Sequence, residues 1–144
     1  MHISTKCSVA IHCLIFIHEY GGATKVTSQL LSLSTGVNAV TIRVILSALK
    51  KGGLVSARPG AGGTVLACSP EEISLLRVCA AIEPDFARRL IGVHAAPSKH
   101  CPVGRNIRRV LDCSYGKIQS DLCASLSEVT LADVLADYHA LPPG

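Results

Sequence analysis

Residues 27–53 read TSQLLSLSTGVNAVTIRVILSALKKGG, and the punctuation of this stretch decides the fold. Thr27 is an N-cap residue for a short helix carrying Leu30, Leu31 and Leu33, which stops at Gly36, a residue free to adopt the left-handed conformation that ends helices. After the turn Thr35-Gly36-Val37, Asn38 caps a third helix. Its expected inward stripe is Val40, Val44 and Ala48 with the adjacent Ile45 and Leu49, leaving Ala39, Arg43, Ser47 and Lys50 outward. It ends at Gly52-Gly53.

Upstream, Ser4 is placed to cap a first helix of about four turns in which Val9, Ala10, Cys13, Leu14 and Ile17 recur at helical spacing, ending at Gly21-Gly22. Downstream, the period changes. Leu54–Arg58 and Thr64–Cys68 are two β-prone runs joined by Pro59-Gly60-Ala61-Gly62-Gly63, which predicts a hairpin with a bare, close-approaching tip. Ser69-Pro70-Glu71-Glu72 then has the form of a capping box, and predicts a helix ending before Pro84. Residues 85–99 are irregular and are expected to be a mobile loop. Pro102 opens a long helix in which Val103, Ile107, Val110, Leu111, Ser114, Ile118 and Leu122 step by three and four, a stripe that seeks a partner helix. Gly116 within it costs about 1 kcal/mol relative to Ala. Thr130 and Asp133 mark a last helix carrying Leu131, Val134, Leu135 and Tyr138. The expected fold is mainly α with a small β-hairpin (α+β): a winged helix-turn-helix over 1–83, a loop over 84–100, and a long helix with a C-terminal helix over 101–144.

Composition agrees with a folded domain. The 144 residues are 49% apolar and 17% charged and contain no Trp, so the core is aliphatic and disorder is excluded. The apolar run Cys13–Ile17 stops at His18, far short of the roughly 20 residues needed to span a bilayer, and no export signal stands at the N-terminus, so a cytoplasmic address is expected. Seven cysteines, an odd number with no C-x-x-C pair, argue against a disulfide scaffold or a structural zinc. Cys7, Cys13, Cys68 and Cys79 fall on apolar faces or a strand and are expected in the core. Cys113 and Cys123 lie on or near the long helix. His2, His12, His18 and His139 read as surface residues, leaving His94 and His100 as the histidines to examine as effector or metal contacts.

Charge is one-sided. Residues 1–68 hold Lys6, Lys25, Arg43, Lys50, Lys51 and Arg58 against Glu19 alone, whereas the remainder holds eight basic and nine acidic residues. A basic first half is the electrostatic footprint of a polyanion partner. A helix-turn-helix with a hairpin wing suits double-stranded DNA, because the major groove admits one helix whose first turns reach base edges. The candidate contacts are Asn38, Ala39, Thr41, Ile42 and Arg43 on that helix, with Lys50, Lys51 and Arg58 as phosphate anchors and the Gly60, Gly62 and Gly63 tip beside the minor groove. The glycine run is not a phosphate-cradling nucleotide loop, since no Lys-Ser/Thr follows it and a strand comes next.

Met1-His2-Ile3-Ser4-Thr5-Lys6, Thr35-Gly36-Val37-Asn38 before Ile42-Arg43, Leu49-Lys50-Lys51-Gly52-Gly53-Leu54-Val55, Gly60-Ala61-Gly62-Gly63 and Ser69-Pro70-Glu71-Glu72-Ile73 together resemble the Rrf2 family of bacterial regulators, which includes IscR, NsrR and CymR. The resemblance covers nearly the whole chain. It implies a homodimeric transcription regulator, usually a repressor, on a palindromic operator, with the long helix crossing its partner's. Cluster-binding members carry three cysteines in the loop before the long helix. Here that segment holds only Cys101, with Cys113 roughly 18 Å further on at ~1.5 Å per residue. No iron–sulphur cofactor of the usual kind is expected, and His100-Cys101-Pro102-Val103-Gly104-Arg105 looks instead like the YwnA-like subgroup.

Cys101, at the cap of a helix and beside His100 and Arg105, is the candidate redox sensor. The helix N-terminus and nearby positive charge are expected to lower its pKa. A capping cysteine without redox chemistry is the competing reading. Two other functions stand beside regulation: a cysteine-dependent enzyme using His100 and Cys101, which lacks an acidic orienter, and a winged-helix assembly module without DNA binding, against which the basic first half argues. No enzyme activity, catalytic residue or membrane partner is expected.

Overall fold

The computed structural model describes residues 3–60 and 62–144; Met1, His2 and Ala61, read above as part of the motif at the start and of the hairpin tip, lie outside the described residues. Helix α1 (Thr5–Tyr20) begins where Ser4 Oγ accepts the Lys6 N–H at 3.2 Å, and it buries Cys7, Ala10, Cys13, Leu14 and Ile17. Helices α2 (Ser28–Thr35) and α3 (Ala39–Lys51) start at Thr27 and Asn38, whose side-chain oxygens accept the N–H groups of Leu30 and Thr41. Between them Gly36 takes φ 74°. Thr35 Oγ1 locks the corner by donating to the Leu31 carbonyl at 2.8 Å and accepting from Val37 N–H at 3.2 Å. The chain turns by 111° between the two helices, within the roughly 90–120° of helix-turn-helix units.

The inward face of α3 agrees with the expectation at Ile45 and Leu49 and differs from it at Val40 and Val44. Ile42, Ile45 and Leu49 are buried, while Val40 and Val44 are 65% and 60% exposed. Both sets are spaced for a helix face. The larger Ile and Leu side chains win the core because burial free energy scales with apolar area. Leu33 of α2 likewise points to solvent.

Strands β1 (Val55–Ala57) and β2 (Thr64–Leu66) pair antiparallel, with Val55 opposite Leu66 and Ala57 opposite Thr64. They are shorter than the two runs suggested. The hairpin is seated on the α1–α2 connection, where Thr64 N–H donates to the Val26 carbonyl at 3.0 Å. Gly63, at φ 83°, makes this possible: a Cβ there would lie 2.9 Å from the Val26 nitrogen.

The capping box of Ser69 and Glu72 forms, but it opens only a 3-10 turn, Pro70–Glu72, rather than the helix expected to run to Pro84. A distant segment intervenes. Leu131 N–H donates to the Ile73 carbonyl at 2.7 Å and Leu75 N–H to the Val129 carbonyl at 2.8 Å, an isolated antiparallel bridge centred on Ser74 and Thr130. Ser74 then caps α4 (Leu75–Ile82) by accepting the Arg77 N–H. Backbone pairing with residues 129–131 therefore overrides the local helix signal.

The segment expected to be a mobile loop contains a further helix, α5 (Phe86–Arg89). Phe86 and the following Leu90 are buried with Cys7 and Cys79. The chain is also pinned nearer α6 (Pro102–Glu128): Ser98 passes over Gly104 where a Cβ would collide, and Arg108 Nη2 donates to the His94 and Ala95 carbonyls at 3.4 and 3.3 Å. Helix α6 has 27 residues, about 40 Å at ~1.5 Å per residue, and continues through Gly116. Helix α7 (Leu131–Ala140), opened by the Thr130–Asp133 capping box, folds back. Its Leu131 and Leu135 enter the main core beside Leu14, Ile17, Ile45 and Leu49, and His139 pairs with Glu19 of α1. Among the described residues no single helix is long and apolar enough to cross a membrane.

Two glycine replacements test how the hairpin is seated. Gly60→Ala meets nothing within 4 Å and should cost about 1–2 kcal/mol, the penalty of a left-handed alanine. Gly63→Ala adds a clash with the Val26 backbone and should cost roughly 1 kcal/mol more. Urea denaturation compares them; equal losses would mean that the hairpin is not docked on Val26.

Candidate nucleic-acid interface

The roll of α3 decides what it offers outward. With Ile42, Ile45 and Leu49 inside, the exposed ridge consists of Val40, Arg43, Val44, Lys50 and Lys51, joined by Ser47. None of the residues of α3 is acidic. On one side of the ridge is a groove of about 550 Å³ bounded by Arg43, Ser47 and Lys50 on α3, Ser28 at the start of α2, and Ser56 and Gly63 of the hairpin. On the other is a hollow of about 690 Å³ bounded by Val44, Lys51 and the α4 residues Ala80 and Ala81. Arg43 and Ser47 line both, so they stand on the crest.

The sequence-derived candidates fare unequally. Arg43, Lys50 and Lys51 are exposed, and Ala39 and Thr41 are half-buried near the start of α3. Ile42 is fully buried, and its place as a contact residue is withdrawn: a side chain that fills the core cannot also reach a base. Asn38 is exposed, but its Oδ1 is held by the Thr41 N–H at 2.9 Å, leaving the amide NH₂ as its free group. Arg58 is half-buried, and its Nη1 donates to the Gly21 carbonyl at 3.2 Å, tying the hairpin to the end of α1. Gly60 is exposed at φ 73°, while Gly62 and Gly63 lie against Lys25.

Sequence reasoning missed Val40 and Val44. The signal that identifies them is the position of Arg43 and Ser47, which centres the polar face between them. Exposed valines there are suited to a thymine methyl, the apolar feature of the major groove. Lys25 was counted only as bulk charge, yet it lies along the glycine tip.

The thiols separate into three settings. Cys13 is buried in the main core, and burial pushes its thiol up to about 12. Cys7 and Cys79 are buried against each other in the smaller cluster. Cys101 is exposed at the N-cap of α6, where it makes no side-chain capping bond, and His100 beside it is also exposed. Cys113 is exposed, and Cys68 and Cys123 are half-buried, so Cys68 is at the edge of the core rather than inside it.

Comparisons place this geometry among known proteins. The family described as Rrf2, iron-dependent transcriptional regulator, matches residues 3–137. YwnA of Bacillus subtilis (strain 168), named as an HTH-type transcriptional regulator, is 33% identical over 133 residues, which cover 92% of this chain and 96% of that protein. A crystal structure described as a transcriptional regulator from Lactobacillus plantarum aligns with a TM-score of 0.77 at 27% identity, covering 94% of this chain and 91% of the other. IscR from T. potens shares the fold at 20% identity, with a TM-score of 0.72 over 100% of this chain and 94% of that one.

The family description implies iron, and the residues present do not fit it. Among the described residues no group of three or more His, Cys, Asp and Glu side chains is placed to hold a metal ion, and the segment before α6 supplies one thiol where a cluster needs several. The family is one of regulators and not of enzymes, which sets aside a catalytic role for His100 and Cys101. The match across almost the entire chain, together with a winged helix-turn-helix whose outward ridge is basic, shows that this protein belongs to the Rrf2 family of transcriptional regulators.

Proposed function

We propose that this protein is a homodimeric, sequence-specific DNA-binding repressor that occupies a palindromic operator in the cytoplasm and carries no iron–sulphur cluster. The observation that carries the DNA reading is the crest of α3: Arg43 between two hollows, flanked by Lys50 and Lys51, with no acidic residue on the helix. In a major groove about 12 Å wide, such a crest offers Arg43 to a guanine edge and Val40 and Val44 to methyl groups, while the lysines meet phosphates. The glycine tip has too little bulk to obstruct the neighbouring minor groove.

Dimerisation is supported by α6. Its Leu122 and Leu126 pack inward on the smaller cluster, whereas Val103, Val110 and Ile118 are 69%, 61% and 49% exposed. These three and Ile107 step along one face of a helix that buries no residue completely. An apolar stripe of that length left in water marks an interaction surface. A two-fold pairing of the same face on two copies satisfies it and sets two α3 crests against two half-sites. YwnA, named as an HTH-type transcriptional regulator, supports the regulatory reading. Cys101, exposed where α6 begins, is an accessible thiol at the start of that helix and a candidate site of oxidation.

Selection of bound duplexes from a random pool supplies the operator for two substitution tests. Arg43→Ala should cost roughly 1–3 kcal/mol at one base pair and relax preference there, whereas Lys51→Ala should weaken all sequences alike and lower the salt slope by about 1. A uniform loss from the Arg43 change would refute base reading by that residue. Val110→Glu with Ile118→Glu should weaken the dimer at least about a hundredfold in sedimentation while the monomer stays helical, since two charges enter an apolar seam. A dimer of undiminished affinity would move the interface elsewhere. Anaerobically purified protein should show no visible cluster absorption; a strong band would overturn the cluster-free reading.

A further inference from the structure

Helices α1, α4, α5 and α6 converge on the smaller buried cluster, and within it two thiols from separate helices face each other. Cys7 on α1 and Cys79 on α4 are each 3% exposed and share one small buried cluster with Phe86 and Leu90. Phe86 and Leu90 cover them from α5 and its end, and Leu122, Cys123 and Leu126 of α6 complete the surround. The other core thiol, Cys13, has no such partner identified and behaves as a small apolar side chain.

The two sulfurs are chemically unequal. The hydrogen bond from Cys7 favours thiolate on Cys79 and lowers its pKa, while the same bond, burial and the charges of Cys79 and Glu83 hold the proton on Cys7. Two neighbouring thiols, one of which ionises more readily than the other, are the arrangement from which a disulfide forms: the first attacks the oxidant as thiolate and the second resolves the product.

We propose that Cys7 and Cys79 form a redox-active dithiol, oxidised by a peroxide to a disulfide that ties α1 to α4 and resets DNA affinity. The Cys79 thiolate attacks one peroxide oxygen; the O–O bond breaks, leaving a sulfenic acid on Cys79 and, once protonated, a first water. The Cys7 sulfur then attacks the sulfenic sulfur; the S–O bond breaks, the S–S bond forms, and the hydroxyl leaves with the Cys7 proton as a second water. Two electrons pass from the sulfurs to hydrogen peroxide, and both thiol protons end in water. Entry requires α5 to lift. It is a four-residue helix whose N-cap, Asp85, makes no side-chain capping bond, so it is the cheapest part of the cover to open.

The site is mechanically placed to matter. Arg77 of α4 donates to the Gly52 carbonyl at the end of α3 at 3.3 Å, and Ala81 of α4 lies 3.0 Å from where a Gly52 Cβ would stand. Drawing α4 toward α1 to disulfide-bond distance therefore moves the support of the DNA-reading helix. The effect on affinity rests on the DNA-binding reading; the disulfide itself does not.

The test uses the reduced full-length protein treated with hydrogen peroxide, then denatured, alkylated, digested and mapped by mass spectrometry, with affinity for a selected duplex measured in parallel. In wild type and in Cys101→Ser, peptides containing Cys7 and Cys79 should be joined with loss of two hydrogens, and affinity should change about tenfold, both reversed by dithiothreitol. Cys7→Ala should bind DNA when reduced and lose the response. Recovery of both thiols alkylated overturns the proposal, as does a joined pair with unchanged affinity. If Cys7→Ala does not fold, the wild-type and Cys101→Ser maps still decide. Reduced protein that binds no duplex sinks the DNA-binding reading alone, because the map scores the disulfide independently.

Discussion

The burial of Ile42, Ile45 and Leu49 is the constraint on which the functional surface depends. These three side chains fix the rotation of α3 about its own axis, and successive residues in a helix differ by about 100°, so a shift of one position would present a different set of side chains outward. With them inside, Arg43 and Ser47 form a crest and Lys50 and Lys51 flank it. The rest of the main core serves this orientation. Leu31 meets α3 across the Gly36 corner, Leu54 and Val55 bring the hairpin under it, and Leu131 and Leu135 close the far side from α7. A basic patch placed on a helix free to rotate would be sticky toward DNA without being able to read it.

Features set by neighbouring residues were legible in the sequence. Ser4, Thr27, Asn38 and Thr130 cap the helices they were expected to cap, and Gly36 takes the left-handed conformation, because each bond involved spans only a few residues. The long helix survives Gly116 because a penalty of about 1 kcal/mol is small against 27 residues of continuous hydrogen bonding. What failed to show was decided by distant partners. Val40 and Ile42 are both apolar and both fit a helical period, and only packing against the other helices lets the larger side chain take the core. The capping box at Ser69 yields a single turn because residues 129–131 claim the next backbone groups. Helix α5 has no amphipathic period to detect over four residues; it is held because Phe86 and Leu90 are buried in one cluster with Cys7 and Cys79. The contact candidates divide the same way: Arg43, Lys50 and Lys51 are recognisable by charge, whereas Ile42 could be removed only by knowing the roll of α3.

Helix α4 connects the parts. Its Arg77 guanidinium bonds the Gly52 and Glu72 carbonyls, at 3.3 and 2.8 Å, and so joins the end of α3 to the turn that precedes α4. Its opposite side carries Val78 into the main core and Cys79 into the smaller one, next to α1 and α6. A displacement of α4 is therefore felt by α3 through Gly52 and by the long helix through Leu122 and Leu126. Packed interiors transmit such movements because they are close to crystalline density and have few voids to absorb them.

That connectivity bears on why two thiols, rather than two aliphatic side chains, meet between α1 and α4. Stability does not require sulfur there. Alanine or valine would fill much the same volume, and swaps that conserve volume in a core cost less than about 1.5 kcal/mol. A pair of thiols in contact is also a liability, since any oxidant that enters can join them. The remaining core positions of α1, α3 and α4 are otherwise held by aliphatic residues and Cys13, so the contact is local to the junction where α1, α4 and the long helix α6 meet. At that junction a single covalent bond would act on both the support of α3 and the exposed apolar face of α6, an economy that no pair of methyl groups can provide.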